Sequence, residues 1–217
     1  MALVNISEMM SEVIPHTPGC PDVVIMNEIR KAAIEFCEVS RYWKVVLDPI
    51  MTIPDISEYE IDQPLGQTIV LIENMQGPRW EVLPKTIEEM DYKFPRWRTQ
   101  TRSGQQPEFY IMTSPLTFIL HPSPSGAVQL DINASVKPSR VSDVIEGYVL
   151  DKYDTVIANG ALAKLVAMPK KAWSNPDMYS YHNNLFEDGK TKAKIERAKG
   201  YSRAPIRTRA ADIGRRG

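Results

Sequence analysis

The sequence has little cysteine and little histidine. Its 217 residues include two cysteines, Cys20 and Cys37, and three histidines, His16, His121 and His182. The cysteines form neither a disulfide framework nor a CxxC half-site for a metal, and the histidines lack the HxxxH and HExxH spacings of zinc proteins. We therefore expect two free thiols, no metal site, and histidines with surface or structural roles.

Motifs that hold phosphates or activate nucleophiles are missing as well. The chain contains no GxGxxG, no glycine-rich loop ending in GK[ST] and no GxSxG, so we expect no cofactor. Acidic residues at helix starts and in strand-edge turns are ordinary solvated positions, and spacing alone does not show the perturbed environment that catalysis needs. We expect no enzymatic activity and no catalytic residue. The carboxylates that could pair as a general acid and base form two groups: Glu88, Glu89 and Asp91, and Asp55, Glu58, Glu60 and Asp62.

Long apolar runs are absent. The longest stretch without a formal charge, residues 109–130, contains three prolines, which excludes a membrane-spanning helix. The N-terminal residues include Glu8 and Glu12, where a secretion signal needs basic residues followed by a long apolar run. We expect a soluble intracellular product without a membrane partner.

Charge is balanced in number but not in position. The chain has 26 basic and 27 acidic residues, and residues 190–217 hold ten of the basic and two of the acidic ones. Residues 1–189 therefore keep 16 basic and 25 acidic residues, a net charge of −9 joined to an end of +8. This asymmetry predicts an acidic body with a basic end that binds a partner.

The first half of the chain changes from helical to strand-like texture. Apolar residues recur at helical spacing in residues 21–40 and predict an amphipathic helix. Short β-type runs separated by turns fill residues 44–137 and predict antiparallel pairing in a small sandwich or barrel-like sheet. One helix interrupts this zone at residues 86–92, where Thr86 and Glu89 have capping-box spacing.

The last zone is helical again. Ser142 is expected to cap a helix that reaches about residue 168, and the small residues 159–163 would let another helix approach closely. Pro176 opens a final helix. Its predicted apolar stripe consists of Met178, Tyr181, Leu185, Phe186 and Ile195.

The predicted fold class is α+β. Residues 1–43 and 138–199 form a helical bundle, residues 44–137 form an inserted antiparallel β domain, and residues 200–217 form an extended basic C-terminal arm. Length supports this division, because 217 residues suit one compact body with a sizeable insertion.

Three tryptophans have alternative interpretations. Trp80, Trp97 and Trp173 have basic neighbours and could serve as base-stacking platforms, or Trp80 and Trp97 could fill the β core while the adjacent arginines face water. We favour the core, because neighbours along a strand point to opposite faces. Trp173 lies in a turn between helices and is expected to anchor the bundle.

The C-terminal arm is the candidate binding site. It mixes arginines with apolar residues and has too few large side chains to fold alone, which suits a segment that orders on a protein surface. Two alternatives stay open: a disordered solubilising tail, and direct binding of nucleic acid. The residues expected to bind are Tyr201, Arg203, Pro205, Ile206, Arg207, Arg209, Ile213, Arg215 and Arg216.

Three segments together resemble one protein family. They are IRKAAIEFCEVSRYW at 29–43, the β segment at 107–140, and residues 160–193, which include MPKKAWSNP at 168–176. The chain resembles, nearly from end to end, the head-to-tail adaptor (head completion) proteins of tailed bacteriophages, particularly those of short-tailed phages.

The resemblance implies a virion structural protein of the head-tail neck, assembled in the host cytoplasm. It implies a ring of twelve copies between the portal protein and the tail nozzle or tube, with viral DNA passing through the channel. In that family the C-terminal segment extends along the portal, which would place Tyr201 to Arg216 of this chain there. The β zone would then offer surface to tail components or neighbouring copies.

Overall fold

The computed structural model describes residues 2–98 and 106–200, which fold as a mixture of helices and strands. Five α-helices lie in this part of the chain: α1 (Met10–Val13), α2 (Asp22–Ser40), α3 (Ile87–Lys93), α4 (Gly147–Val166) and α5 (Tyr179–Lys199). The strands are β1 (Leu3–Asn5), β2 (Lys44–Val46), β3 (Ile50–Met51), β4 (Glu58–Glu60), β5 (Gln67–Gln76), β6 (Glu81–Pro84), β7 (Phe109–Met112), β8 (Thr117–His121), β9 (Gln129–Pro138) and β10 (Val144–Glu146).

The main sheet is mostly antiparallel. Its strand order is β2-β9-β5-β6-β7-β8-β4, and β3 also pairs with β9. The prediction of purely antiparallel pairing is wrong at one place, where β6 and β7 run parallel with Leu83 opposite Phe109. The parallel pair arises because the chain between β6 and β7 is a long crossover that contains α3, not a tight turn.

Helix α2 confirms the predicted amphipathic helix. Pro21 precedes the first helical residue with extended backbone, and the chain leaves the helix at Arg41, whose φ of 52° is left-handed. The apolar face is buried in a core shared with α4 and α5, and Phe36 and Trp43 are among its fully buried side chains. We call this the helical core.

The start of α4 differs from the prediction. Ser142 does not cap the helix but lies just before β10, and the helix begins at Gly147 after Glu146. Strand β10 pairs antiparallel with β1, so Val4 lies opposite Ile145. This long-range pairing takes up the residues that would otherwise form the first turn.

The predicted apolar stripe of α5 is wrong. Among its members only Phe186 is buried, and the others are exposed. The face that packs on α4 and α2 is instead formed by small and polar residues together with Phe186, namely His182, Gly189, Lys190 and Ala193. The signal that was missed in the sequence of α5 is the small size of Gly189 and Ala193, because two helices that approach closely need glycine and alanine at their contact rather than long apolar side chains.

The strands enclose a second core, which we call the β core. Phe118, Leu120 and Met75 are among its fully buried residues. Strand β9 joins the two cores: Leu130 and Ile132 are buried in the β core, whereas Val136 of the same strand is buried in the helical core. The division into domains stays a prediction.

The predicted arm residues 201–217 lie outside the described residues. None of the helices in the described ranges is long and apolar enough to cross a membrane.

Candidate assembly surfaces

The histidines pack against neighbouring side chains or lie at the surface. His182 on α5 is buried, and its Nδ1 lies 2.7 Å from Oδ1 of Asn159 on α4. Burial, together with the nearby His16, lowers the pKa of His182. His121 is buried with its ring against those of Phe94 and Trp97. These surroundings agree with the structural roles expected for His121 and His182.

The first carboxylate group caps and braces α3. The Thr86 side chain accepts a hydrogen bond from the Glu89 N–H, and the Glu89 side chain accepts one from the Thr86 N–H, which confirms the capping box. This bond from the Thr86 backbone is the main reason that the pKa of Glu89 is lowered. Asp91 accepts a hydrogen bond from Nε1 of Trp97 at 2.8 Å and pairs with Arg98. Both carboxylates are thus engaged in local structure.

Trp97 has a different position from the one predicted. It follows α3 instead of lying on a strand, and it is buried with Met90 and Ile111 in a small third cluster. Arg98 does not face away from it, because the guanidinium lies 4.7 Å from the centre of the Trp97 ring. A buried ring with an arginine over it does not offer a free face for stacking on a base.

The other two tryptophans are half-buried. Trp80 packs against the β core and Trp173 against the helical core. Lys171 lies 5.9 Å from the centre of the Trp173 ring. The position of Trp80 therefore agrees with the interpretation that it packs in the β core. The position of Trp173 agrees with an anchor of the helices that is only partly buried.

The end of α5 is tied to both halves of the molecule. Glu196 accepts hydrogen bonds from Lys152 and from the Tyr153 hydroxyl on α4, and these two bonds hold the pKa of Glu196 below its ordinary value. Arg197 pairs with Glu73 in the middle of β5. The helix ends at Lys199, and the next residue, Gly200, has a φ of 63°, in the left-handed region. The chain thus enters the predicted arm where the helices meet the sheet.

A buried ammonium links three helices. Nζ of Lys190 on α5 lies 2.7 Å from Glu35 of α2 and 2.7 Å from Glu187, and Nζ of Lys164 on α4 lies 2.8 Å from the second oxygen of Glu35. Burial would raise the pKa of Glu35, but the hydrogen bonds from the two lysines outweigh it and lower that pKa. We call Lys190, Glu35 and Lys164 the three-helix joint.

Part of the basic end is already neutralised within the body. Lys190 and Arg197 have carboxylate partners, whereas the exposed Lys192, Lys194 and Lys199 form no ion pair with another described residue. The outer surface of α5 therefore continues the positive charge of residues 201–217 onto the body. The exposed apolar side chains of α5 are Tyr179, Tyr181, Leu185 and Ile195, and Met178 is exposed just before the helix.

The second carboxylate group lies at the far end of the sheet. Asp55, Glu58, Glu60 and Asp62 are exposed in and around β4, and none of them pairs with a cation among residues 2–98 and 106–200. In the same described ranges, no three His, Cys, Asp or Glu side chains are grouped in a way that could hold a metal ion. We call these four residues and the strand that carries them the acidic edge.

Sequence reasoning missed the contacts that position these surfaces. Arg197 and Glu73 are 124 residues apart, and Lys190 and Glu35 are 155 apart, so no local pattern joins them. The one available signal was composition, since no Lys or Arg occurs between Lys44 and Arg79. Residues 201–217 of the predicted arm carry five arginines and one aspartate, the acidic edge carries four carboxylates, and the described body separates the end of α5 from β4.

Comparison with known families identifies a family that matches most of the chain. The SU10 adaptor protein family matches residues 4–209, a range that covers both cores and enters the predicted arm. A search among curated proteins finds no match. The family match agrees with the resemblance to phage head-to-tail adaptors carried by the sequence segments. This chain belongs to the SU10 adaptor protein family and is a structural adaptor protein of a phage.

Proposed function

We propose that the protein forms the ring that joins the portal to the tail in the neck of a short-tailed phage. The observation that carries the proposal is the family match over residues 4–209. Twelve copies would surround a channel through which the viral DNA passes, and the role would be structural rather than enzymatic. An adaptor family implies portal and tail partners, and residues 201–217 would reach the portal.

Charge and anchoring support the assignment of the arm. The segment 201–217 has five arginines and one acidic residue, and its Tyr201, Ile206 and Ile213 could enter pockets on a protein surface. The arm starts from a firm base, because Glu196 and Arg197 fix the last turn of α5 to α4 and β5. Guanidinium groups suit a partner that offers carboxylates in bidentate geometry.

Removal of the arm tests this role. A chain that ends at Gly200 keeps every residue of both cores, so we expect it to fold and to lose attachment to isolated portal rings. Attachment would be measured by co-sedimentation with purified portal. Truncated protein that still joins the portal as the full chain does would show that the arm assignment is wrong.

A matched variant distinguishes the contribution of the arm to portal binding from that of the positive charge on α5. Lys192→Gln, Lys194→Gln and Lys199→Gln together remove three exposed charges and leave the arm complete. We expect this variant to bind portal within about threefold of the natural chain, since exposed charges contribute little each. A loss as large as that of the truncation would move the portal contact from the arm to α5.

Nucleic-acid binding is the second candidate function. The observation that favours it is the row of exposed lysines on α5 next to the arginines of the arm. It predicts that the full chain binds duplex DNA without portal, with an affinity that falls steeply as salt rises, and that the truncation abolishes this binding. The portal role predicts instead that the truncation is deficient even in DNA-free portal preparations.

A further inference from the structure

One edge of the main sheet has no partner strand within residues 2–98 and 106–200. Strand β4 is the last in the strand order and, in these ranges, pairs only with β8, with Tyr59 opposite Phe118. The Leu120 N–H donates to the Ser57 carbonyl at 2.8 Å, and the Ile61 N–H donates to the Leu116 carbonyl at 2.7 Å. Because hydrogen bonds alternate along an antiparallel pair, the backbone groups of Glu58 and Glu60 point away from β8.

At the opposite edge of the sheet, one outward backbone group is covered by a side chain. At β2 the outward N–H of Lys44 donates to the Tyr148 hydroxyl of α4 at 3.1 Å. No described residue plays that part for Glu58 or Glu60. An uncovered edge is a template for another extended chain, and proteins usually blunt it.

The side chains beside this edge define what it accepts. Ile53 and Ile56, which precede β4, are about half exposed, at 58% and 46%. The four carboxylates of the acidic edge are exposed and have no cation partner in the described part of the chain. The edge therefore fits an extended strand that carries both basic and apolar residues.

The chain itself contains such a segment. Residues 206–213 read IRTRAADI, with Arg207 and Arg209 two positions apart, as Glu58 and Glu60 are. Residues two apart on a strand share a face, so a paired strand would bring both arginines opposite both glutamates. Ile206 and Thr208 would then point to the other face, the one on which Tyr59 is buried. Opposite charges directly across a strand pair are stabilising.

We propose that, before the portal is bound, residues 206–213 of one copy add to the open edge of β4 in a second copy. Only the later transfer of this segment to the portal rests on the proposed function; the pairing itself does not. A second copy fits better than the same chain, because α5 is anchored on β5 and strands β6, β7 and β8 separate β5 from β4. A contact between two different surfaces of identical chains also propagates from copy to copy and can close into a ring.

The contact would protect both surfaces. The edge would no longer be free for aggregation, and the arginines would no longer be free to bind nucleic acid without specificity.

Charge reversal tests the pairing in the full-length protein without portal. Self-association would be measured by sedimentation velocity at low salt. We expect Glu58→Lys with Glu60→Lys, and separately Arg207→Glu with Arg209→Glu, each to weaken it by on the order of tenfold. The arginine variant changes no residue of the described body, so its result stands whether or not the edge variant folds.

Mixing decides whether the contact joins different copies. The lysine-bearing edge of one variant matches the glutamate-bearing segment of the other, and the unaltered segment of the first matches the unaltered edge of the second. An equimolar mixture is therefore expected to associate more strongly than either variant alone. Glu12→Lys with Asp188→Lys makes the same charge change at exposed positions away from β4 and is expected to leave self-association unchanged.

Two results would overturn the proposal. Variants that associate as the natural chain does would show that the edge and the segment do not meet. A mixture that stays dissociated would show that they do not meet between copies. Loss of portal binding is a separate measurement, so pairing without portal attachment would refute the proposed function and leave this contact standing.

Discussion

At the scale of single residues, two glycines determine how closely α4 and α5 approach. A Cβ on Gly160 would lie 2.8 Å from the ring of Phe186, and a Cβ on Gly189 would lie 2.3 Å from Cγ1 of Val156. Each glycine thus receives a large side chain from the facing helix. The small residues predicted to permit a close approach do so, and α5 contributes a glycine of its own.

Gly189→Ala is expected to destabilise the protein. Alanine would gain about 1 kcal/mol of helix propensity over glycine, but overpacking a tight contact costs about 1–3 kcal/mol. Val156 is β-branched on a helix and has little rotamer freedom to move away. Since this rigidity places the overpacking cost in the upper part of its range, we expect a net loss of about 1–2 kcal/mol in the free energy of unfolding, measured by urea unfolding.

Two further variants check the cause. Val156→Ala in the Gly189→Ala background should restore part of the lost stability, because it removes the atoms that the new methyl group meets. Gly126→Ala adds a methyl group where no heavy atom lies within 4 Å, so it should leave stability nearly unchanged. Equal effects of Gly189→Ala and Gly126→Ala would contradict the packing argument.

At the scale of elements, the three-helix joint makes packing depend on ionisation. Lys190 is buried with its ammonium between Glu35 and Glu187, and Lys164 reaches Glu35 from α4. A buried ammonium is tolerated only while its carboxylate partners stay charged. The contact of α5 with α2 thus has an electrostatic part that apolar packing does not provide.

Acid should weaken this joint and also the contact of Glu196 with α4. The folded-state pKa values of Glu35 and Glu196 lie below their ordinary value of 4.5. In that range the unfolded chain binds more protons than the folded one, so the free energy of unfolding falls as pH drops through 4.5 and below. Denaturant titrations between pH 6 and pH 3 should show the loss. In Glu35→Gln the pH dependence should be shallower, and an unchanged slope would assign the acid sensitivity elsewhere.

The sequence predicts elements whose causes are local. Helix α3 follows from the capping box of Thr86 and Glu89, and α2 follows from its apolar spacing. It fails where a distant strand intervenes: Ser142 has the residue type of a helix cap, but pairing of β10 with β1 moves the helix start to Gly147. The stripe on α5 fails because Tyr181 and Leu185 have helical spacing and yet face away from the partner helices.

The sequence likewise predicts some features of the candidate site and not others. Composition alone identifies residues 201–217 as basic and the stretch that contains Glu58 and Glu60 as lacking cations. The bond of Arg197 to Glu73 and the open edge of β4 depend on which strands become neighbours, which only the fold determines. The parallel pairing of β6 with β7 is of this kind too, since no turn residue signals it.

At the scale of the whole molecule, β9 makes the two cores one structure. Its Leu130 and Ile132 belong to the β core and its Val136 to the helical core, while the half-buried Val45 and Ile69 touch both. The predicted boundary between bundle and insertion passes through this strand, which cannot leave one core without disturbing the other.

Unfolding should therefore be a single transition. Phe36→Ala in the helical core and Phe118→Ala in the β core each remove a fully buried ring, which typically costs about 3–5 kcal/mol. We expect each to lower one common transition in calorimetry, with circular dichroism and tryptophan fluorescence changing together. A variant that splits the transition in two would show that the inserted zone unfolds independently.

The attachment of α5 also determines how the molecule transmits a mechanical force applied at its C-terminal end. Tension applied beyond Gly200 enters α5 and passes through Glu196 to α4 and through Arg197 to β5. Strand β5 lies beside β9, and these are the two longest strands of the described chain, at ten residues each. When force acts along the axis of such a strand pair, many hydrogen bonds bear the load at the same time. When force peels a short strand away from the edge of a sheet, the hydrogen bonds break one after another. The end of the chain that we propose to bind the portal is thus anchored to the part of the sheet best arranged to resist shear.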